Sequence, residues 1–197
     1  MIYKKSDGLV VRMQQLSGVH QPVSLLFKKV RPSQIVEIGT ATGGFTHLIR
    51  EELNKLNLEQ SKILTIDKRD MVRKKFEEKN TTPLLRNCFT EDGDNFIDQI
   101  KNLVQLNGTS IIFCDGGNKI KEFYAGASIL KKGDIILSHD YFENKEIFQK
   151  DFVETQKWFW CSTVKKDLEE AHQKYGLQEF MAQEFAPYVW SCAKKIT

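Results

Sequence analysis

Several features are scarce in this chain. Its 197 residues include four cysteines, Cys88, Cys114, Cys161 and Cys192, and none forms a C-x-x-C pair. That spacing excludes a zinc knuckle or a redox dithiol read from sequence. Cys114 and Cys192 sit inside apolar runs, the setting of reduced, buried thiols. No apolar run approaches the ~18 residues of a membrane span, and the opening M-I-Y-K-K-S-D-G lacks the apolar stretch of a secretion signal. The expectation is a soluble, cytoplasmic protein with no membrane partner. Pro/Gly-rich linkers, biased tracts and internal repeats are missing as well. Excess charge is small: 29 Lys and Arg against 26 Asp and Glu leave +3. The basic clusters Arg73-Lys74-Lys75, Lys131-Lys132 and Lys194-Lys195 read as solvated faces, so no nucleic-acid partner is expected.

What is present fits one globular domain over residues 1–197, 41% hydrophobic and 28% charged. It divides into a helical lead-in (1–34), a core (35–140), and C-terminal helices with a hairpin (141–197). The lead-in helix spans Pro22 to Val30, with Val23, Leu26, Phe27 and Val30 at helical spacing and Pro32 as its stop. A strand at Ile35 to Ile38 enters a glycine-rich turn, and Phe45, Leu48, Ile49, Leu53 and Leu56 stripe the next helix. Then come a strand at Ile63 to Ile66, a charged segment from Lys68 to Lys79, and a weak strand at Pro83 to Leu85. A helix carrying Phe96, Ile97, Ile100, Leu103 and Val104 precedes the strand Ile111 to Cys114. After it come a helix ending near Leu130 and a strand at Ile135 to Leu137. Strands alternating with helices of this length predict a parallel sheet wrapped on both faces. The tail differs. After a helix over 163–175, Leu177 to Phe185 and Tyr188 to Cys192 are joined by only Ala186-Pro187, too short for a crossover, so they are expected to pair antiparallel.

Functional signals concentrate in I-V-E-I-G-T-A-T-G-G-F-T, residues 35–46. A sharp turn from strand into helix places free backbone N–H groups and the positive helix end at the carboxyl edge of the sheet. Small residues let a ligand approach the main chain there. Read as G-x-A-x-x-G, the loop suits a dinucleotide pyrophosphate; read otherwise, it is a plain tight turn. Asp67, closing the second strand of the core, adds a carboxylate suited to two ribose hydroxyls. Against a dinucleotide stand the charge of Glu37 in a strand buried on both faces, the terminal hairpin, and the segment ahead of the first core strand.

On these residues the chain resembles a class I S-adenosylmethionine-dependent methyltransferase. V-E-I-G-T-A-T-G-G is similar to the first motif of that superfamily, I-D-K-R-D to its acidic second-strand end, I-I-F-C-D-G-G to its fourth-strand motif and L-K-K-G-D-I-I-L to its fifth. A narrower resemblance, on G-V-H-Q-P-V, G-T-A-T-G-G-F-T, D-G-G-N and S-H-D-Y, is to the cephalosporin hydroxylase and sugar (rhamnosyl) O-methyltransferase group. Asn118 stands where that group has His, and His139 where it has the first of two adjacent acids. The resemblance implies a Rossmann-like, doubly wound α/β sheet of seven strands, mostly parallel with a C-terminal antiparallel hairpin. It also implies O-methylation of a small or sugar-like acceptor. Gly39, Thr40, Ala41 and Gly43 would line the methionine and ribose, with Glu37 or Asp115 as acceptors for the ammonium. Asp67 would take the ribose, with Lys68 beside it, and Cys88, Phe89 and Thr90 would flank the adenine. Phe89 fits core packing equally well.

Asp115, His139 and Asp140 are the catalytic candidates. They form a set that would bind Mg²⁺ or another divalent ion and activate an acceptor hydroxyl. Without metal, His139 is the candidate general base. Trp158 and Trp160 fit an acceptor pocket or the core. An NAD-type oxidoreductase and a non-catalytic nucleoside-binding module remain as alternatives.

Overall fold

A computed structural model describes residues 2–4, 10–72, 76 and 79–197. Part of the charged segment, including Arg73-Lys74-Lys75, lies outside the described residues. The chain opens with an antiparallel ribbon of β1 (Ile2–Lys4) and β2 (Val10–Arg12) before helix α1 (His20–Val30). The lead-in is therefore ribbon plus helix, not helix alone as the sequence suggests. Strands this short carry too few residues to display an alternating pattern.

The core alternates as expected: β3 (Gln34–Ile38), α2 (Gly44–Lys55), β4 (Lys62–Asp67), β5 (Thr81–Leu85), α3 (Asp98–Val104), β6 (Ser110–Cys114), α4 (Lys119–Ile129) and β7 (Ile135–His139). Next are β8 (Tyr141–Phe142), α5 (Lys145–Ile147) leading into a wide-turn helix at Phe148–Val153, and β9 (Thr163–Val164). Helix α6 (Lys165–Tyr175), β10 (Leu177–Glu179), α7 (Ala182–Phe185) and β11 (Trp190–Lys195) close the chain.

One seven-stranded sheet runs β10-β11-β7-β6-β3-β4-β5. β3 through β7 pair in parallel, and β11 runs antiparallel to both β7 and β10. The expected hairpin is present but shorter, and Leu177 to Phe185 is not one strand. β10 ends at Glu179, Met181 turns left-handed at φ 53°, and 182–185 is helical. Burial explains this, because Phe185 is fully buried in the core on the α1–α2 face, which an extended edge strand would not reach. β8 and β9 form a small separate parallel pair that the sequence did not suggest.

Alternation along each strand sorts the core into two layers. Ile35, Ile63, Ile111, Phe113, Ile135 and Leu137 pack against α1 and α2 through Phe27, Phe45, Leu48 and Leu53. The intervening Val36, Ile38, Leu64, Ile66, Ile112 and Ile136 pack against α3, α4 and α6 through Ile100, Phe123 and Leu168. The same alternation turns Glu37 and Thr65 toward α2. Phe96 and Ile97, expected within α3, precede it: Phe96 bridges Phe89, and Ile97 is the extended residue that starts the helix. No helix among the described residues is long and apolar enough to cross a membrane.

Candidate active site

The strand order reverses between β3 and β6, and there the carboxyl ends open a cleft of about 680 Å³. Such a crevice is where open α/β sheets bind ligands, and its volume suits a small molecule. The turn from β3 into α2 forms one wall. Gly39 has φ +99°, and a Cβ there would lie 2.3 Å from the Asp115 carbonyl oxygen, so no larger residue fits. Gly44 is constrained from the other side, since its Cβ would meet the Arg12 carbonyl at 2.2 Å where the N-terminal ribbon crosses. Thr42 Oγ1 donates to that same carbonyl at 2.6 Å.

Asp67 points into this turn. Its Oδ2 accepts the Ala41 N–H at 2.9 Å, and its Oδ1 accepts the Arg69 N–H at 2.9 Å. Each oxygen keeps a further lone pair, and the residue lines the cleft with Gly39, Thr40, Ala41 and Lys68. Cys88 and Phe89 line the cleft at the end of β5, and burial pushes the Cys88 thiol up to about 12, which makes it a poor nucleophile.

Three expected site residues lie elsewhere. Glu37 is fully buried behind the turn because strand alternation faces it toward α2; Thr65 Oγ1 donates to its Oε2 at 2.6 Å, and Thr46 Oγ1 donates to the same oxygen. Its Oε1 has no hydrogen-bond partner among the described residues. Burial pushes the Glu37 carboxyl up to about 8, partly offset by the two threonines and reinforced by the charges of Asp115 and Asp67. Gly43 is the N-cap of α2 and faces Phe76, not the cleft that Gly44 lines. Thr90 folds into a local turn with Asp92 and Asn95.

Asp115, His139 and Asp140 converge at the ends of β6 and β7, with one ligand atom from each lying within 4.8 Å of the others. A carboxylate only accepts, so His139 Nδ1 donates to Asp115 Oδ1 at 2.7 Å. Nε2 is left buried with no partner among the described residues. Trp158 and Trp190 pack against the imidazole at centroid distances of 5.4 and 4.6 Å. Asp140, at φ 53°, receives Trp158 Nε1 at 2.8 Å on Oδ1 and Ser162 Oγ at 3.3 Å on Oδ2.

Two residues with no motif complete the cluster. Buried Gln15 donates through Nε2 to Asp115 Oδ2 at 2.8 Å and accepts Trp190 Nε1 at 2.9 Å. Lys119, at the start of α4, places Nζ 3.1 Å from Asp140 Oδ2 and 3.7 Å from Asp115 Oδ1, and donates to the Gly116 carbonyl at 3.0 Å. Burial lowers its affinity for a proton, but Asp115 and Asp140 outweigh that and raise the ammonium above its ordinary pKa. Asn118 plays a structural part, since its Oδ1 accepts the Lys121 N–H at 3.1 Å and caps α4. Glu122 accepts the N–H groups of Gly116 and Asn118 at 3.0 and 3.1 Å, which holds the turn after β6.

Among solved structures the chain is similar over 99% of its length to apo CmcI, covering 76% of that chain at 13% identity and TM-score 0.65. It is similar over the same share to CmcI with Mg and SAM, covering 77% at 15% identity and TM-score 0.66. The O-methyltransferase TomG from Streptomyces achromogenes in complex with SAM is similar over 91% of this chain and 80% of its own, at 12% identity and TM-score 0.51. The fold is that of the class I methyltransferases. No family sequence model and no curated protein sequence matches the chain. Within the methyltransferase fold, the cleft lies at the carboxyl ends of β3, β4, β6 and β7, and the acidic, imidazole-bearing cluster faces it from β6 and β7.

Proposed function

We propose that the chain is an S-adenosylmethionine-dependent methyltransferase that O-methylates a small or sugar-like acceptor, acting as one unit in the cytoplasm. The observation that carries this reading is the pairing of the bare turn at Gly39 with Asp67, which is fastened to that turn through Ala41 and lines the same cleft. Two of the similar structures are SAM complexes, which agrees with it. Free cysteines, three of them buried, are in keeping with a reducing compartment.

In this reading Gly39, Thr40 and Ala41 would hold the methionine end, with Asp115 to balance its ammonium. Asp67, whose two backbone donors already fix its carboxylate, would take the ribose hydroxyls. Cys88 and Phe89 would flank the adenine. Glu37 acts from behind the wall as a buried, neutral support for the turn.

When bound, S-adenosylmethionine would supply an electrophilic methyl group to the acceptor oxygen by in-line displacement, with its sulfonium leaving as a neutral thioether. The hydroxyl proton passes to His139 Nε2, the ring nitrogen left without a partner, while Asp115 fixes the tautomer through Nδ1. Nε2 is closed from solvent, so the acceptor reaches it by displacing the cover formed by Trp158, with half-exposed Trp160 at the rim. Positioning and exclusion of water supply most of the acceleration.

Calorimetry tests the reading. S-adenosylhomocysteine should bind one to one and NAD⁺ should not. Saturable binding of NAD⁺ with none of S-adenosylhomocysteine would replace this function with the oxidoreductase. Binding of S-adenosylhomocysteine without turnover across a broad acceptor panel would leave only a nucleoside-binding module.

A further inference from the structure

Two of the three groups with ligand spacing, Asp115 and Asp140, are already engaged within the protein. Every carboxylate oxygen of the cluster already faces a donor within the protein. Asp115 Oδ1 faces His139 Nδ1 at 2.7 Å, and Asp115 Oδ2 faces Gln15 Nε2 at 2.8 Å. Asp140 Oδ1 faces Trp158 Nε1 at 2.8 Å, and Asp140 Oδ2 faces Lys119 Nζ at 3.1 Å. The Lys119 ammonium lies between the two acids, 10% exposed, and its bond to the Gly116 carbonyl holds it there. Its position follows from the fold. Lys119 is the first residue of α4, directly after the turn that leaves β6, and its side chain returns over the strand end.

We propose that Lys119 is the resident cation of this site, taking the ground between Asp115 and Asp140 that a divalent ion would need, so that the cluster works without metal. This rests on the methyltransferase reading for its function but not for its geometry. A divalent ion bridging the two acids would sit within a few ångströms of a buried ammonium, and like charges at that range in a poorly solvated site exclude one another. With the ammonium in place, both acids keep a counter-charge through each turnover. Asp115 is then free to hold the His139 tautomer, and no ion has to be recruited. Lys119 is a positioning residue in this scheme: it acts on the reacting groups through the two carboxylates.

The test titrates Mn²⁺ alone into the full-length protein, followed by the paramagnetic signal of free Mn²⁺ and by calorimetry. Wild type should show no saturable binding below about millimolar Mn²⁺. Lys119→Met keeps the length of the side chain and removes its charge; it should bind one Mn²⁺ at least about 50-fold more tightly than wild type. The Lys119→Met/Asp140→Asn double variant should lose that gain. Stoichiometric micromolar binding by wild type overturns the proposal, and this arm needs no variant to fold. A folded Lys119→Met protein that gains no Mn²⁺ affinity also overturns it, because the ammonium is then not what excludes the ion. S-adenosylhomocysteine is titrated into the same wild-type sample. Failure of that binding counts against the methyltransferase reading and leaves the metal result standing by itself.

Discussion

Glu37 offers a quantitative test of how the turn at Gly39 is supported. The residue is fully buried, and its carboxyl lies at about 8 against an ordinary 4.5, chiefly because burial disfavours the charged form. The folded protein therefore holds this proton more tightly than the unfolded chain does. The stabilisation is complete below the unfolded value and is lost as pH rises through the folded one. At 1.36 kcal/mol per pH unit, the loss relative to pH 4.5 is about 3 kcal/mol at pH 7 and about 4 kcal/mol above pH 8. Glu37→Gln keeps the shape of the protonated acid and an oxygen for the hydroxyls of Thr46 and Thr65, but it cannot ionise. Urea unfolding of both proteins from pH 4.5 to 9, followed by far-UV circular dichroism, should show equal stability at the acid end. The variant should then gain on wild type by these amounts. Because wild-type Glu37 is neutral at pH 7 and lies outside the cleft, affinity for S-adenosylhomocysteine should change by less than about threefold. A stability difference that is constant across this range, or that grows toward acid, refutes the argument.

Gly39→Ala places a Cβ 2.3 Å from a backbone oxygen at φ +99°. It should cost at least about 2 kcal/mol in urea unfolding and abolish measurable nucleoside binding. Arg50 is buried and donates to the Thr81 hydroxyl and to the carbonyls of Glu59, Ser61 and Asn80. Arg50→Met should lower stability by about 2 to 4 kcal/mol by stranding those acceptors. Trp160, half-exposed at the mouth of the cleft, should act on the acceptor alone. Trp160→Ala should raise acceptor KM by about tenfold while leaving S-adenosylhomocysteine affinity unchanged by calorimetry.

The parallel core was legible because β3, β6 and β7 are buried on both faces, which writes β6 as the unbroken run Ile111-Ile112-Phe113-Cys114, β7 as Ile135-Ile136-Leu137 and β3 as an apolar run interrupted by Glu37. The turn at Gly39 was legible for a related reason: a left-handed residue touching a neighbouring strand end admits only glycine. Edges were harder. β10 has one neighbour and exposes Gln178 and Glu179, so nothing in its pattern marks where it stops and α7 begins. Glu37 was recognised as unusual but assigned to the ligand side, because alternation decides its direction and a single acid does not reveal its phase. Gln15 reaches Asp115 from 100 residues away and carries no spacing signal. Lys119 carried none either, because Asp115 lies outside α4 and the turn between them decides where the side chain returns. It stayed hidden because nothing in sequence reveals that Asp140 would meet it from another strand.

Crystals soaked with S-adenosylhomocysteine test the central claim most directly. The ribose hydroxyls should lie within hydrogen-bond reach of Asp67, with the homocysteine chain along the Gly39 backbone and the sulfur facing the His139 side of the cleft. Density for the ligand away from that turn, or a ribose that makes no contact with Asp67, would contradict the account.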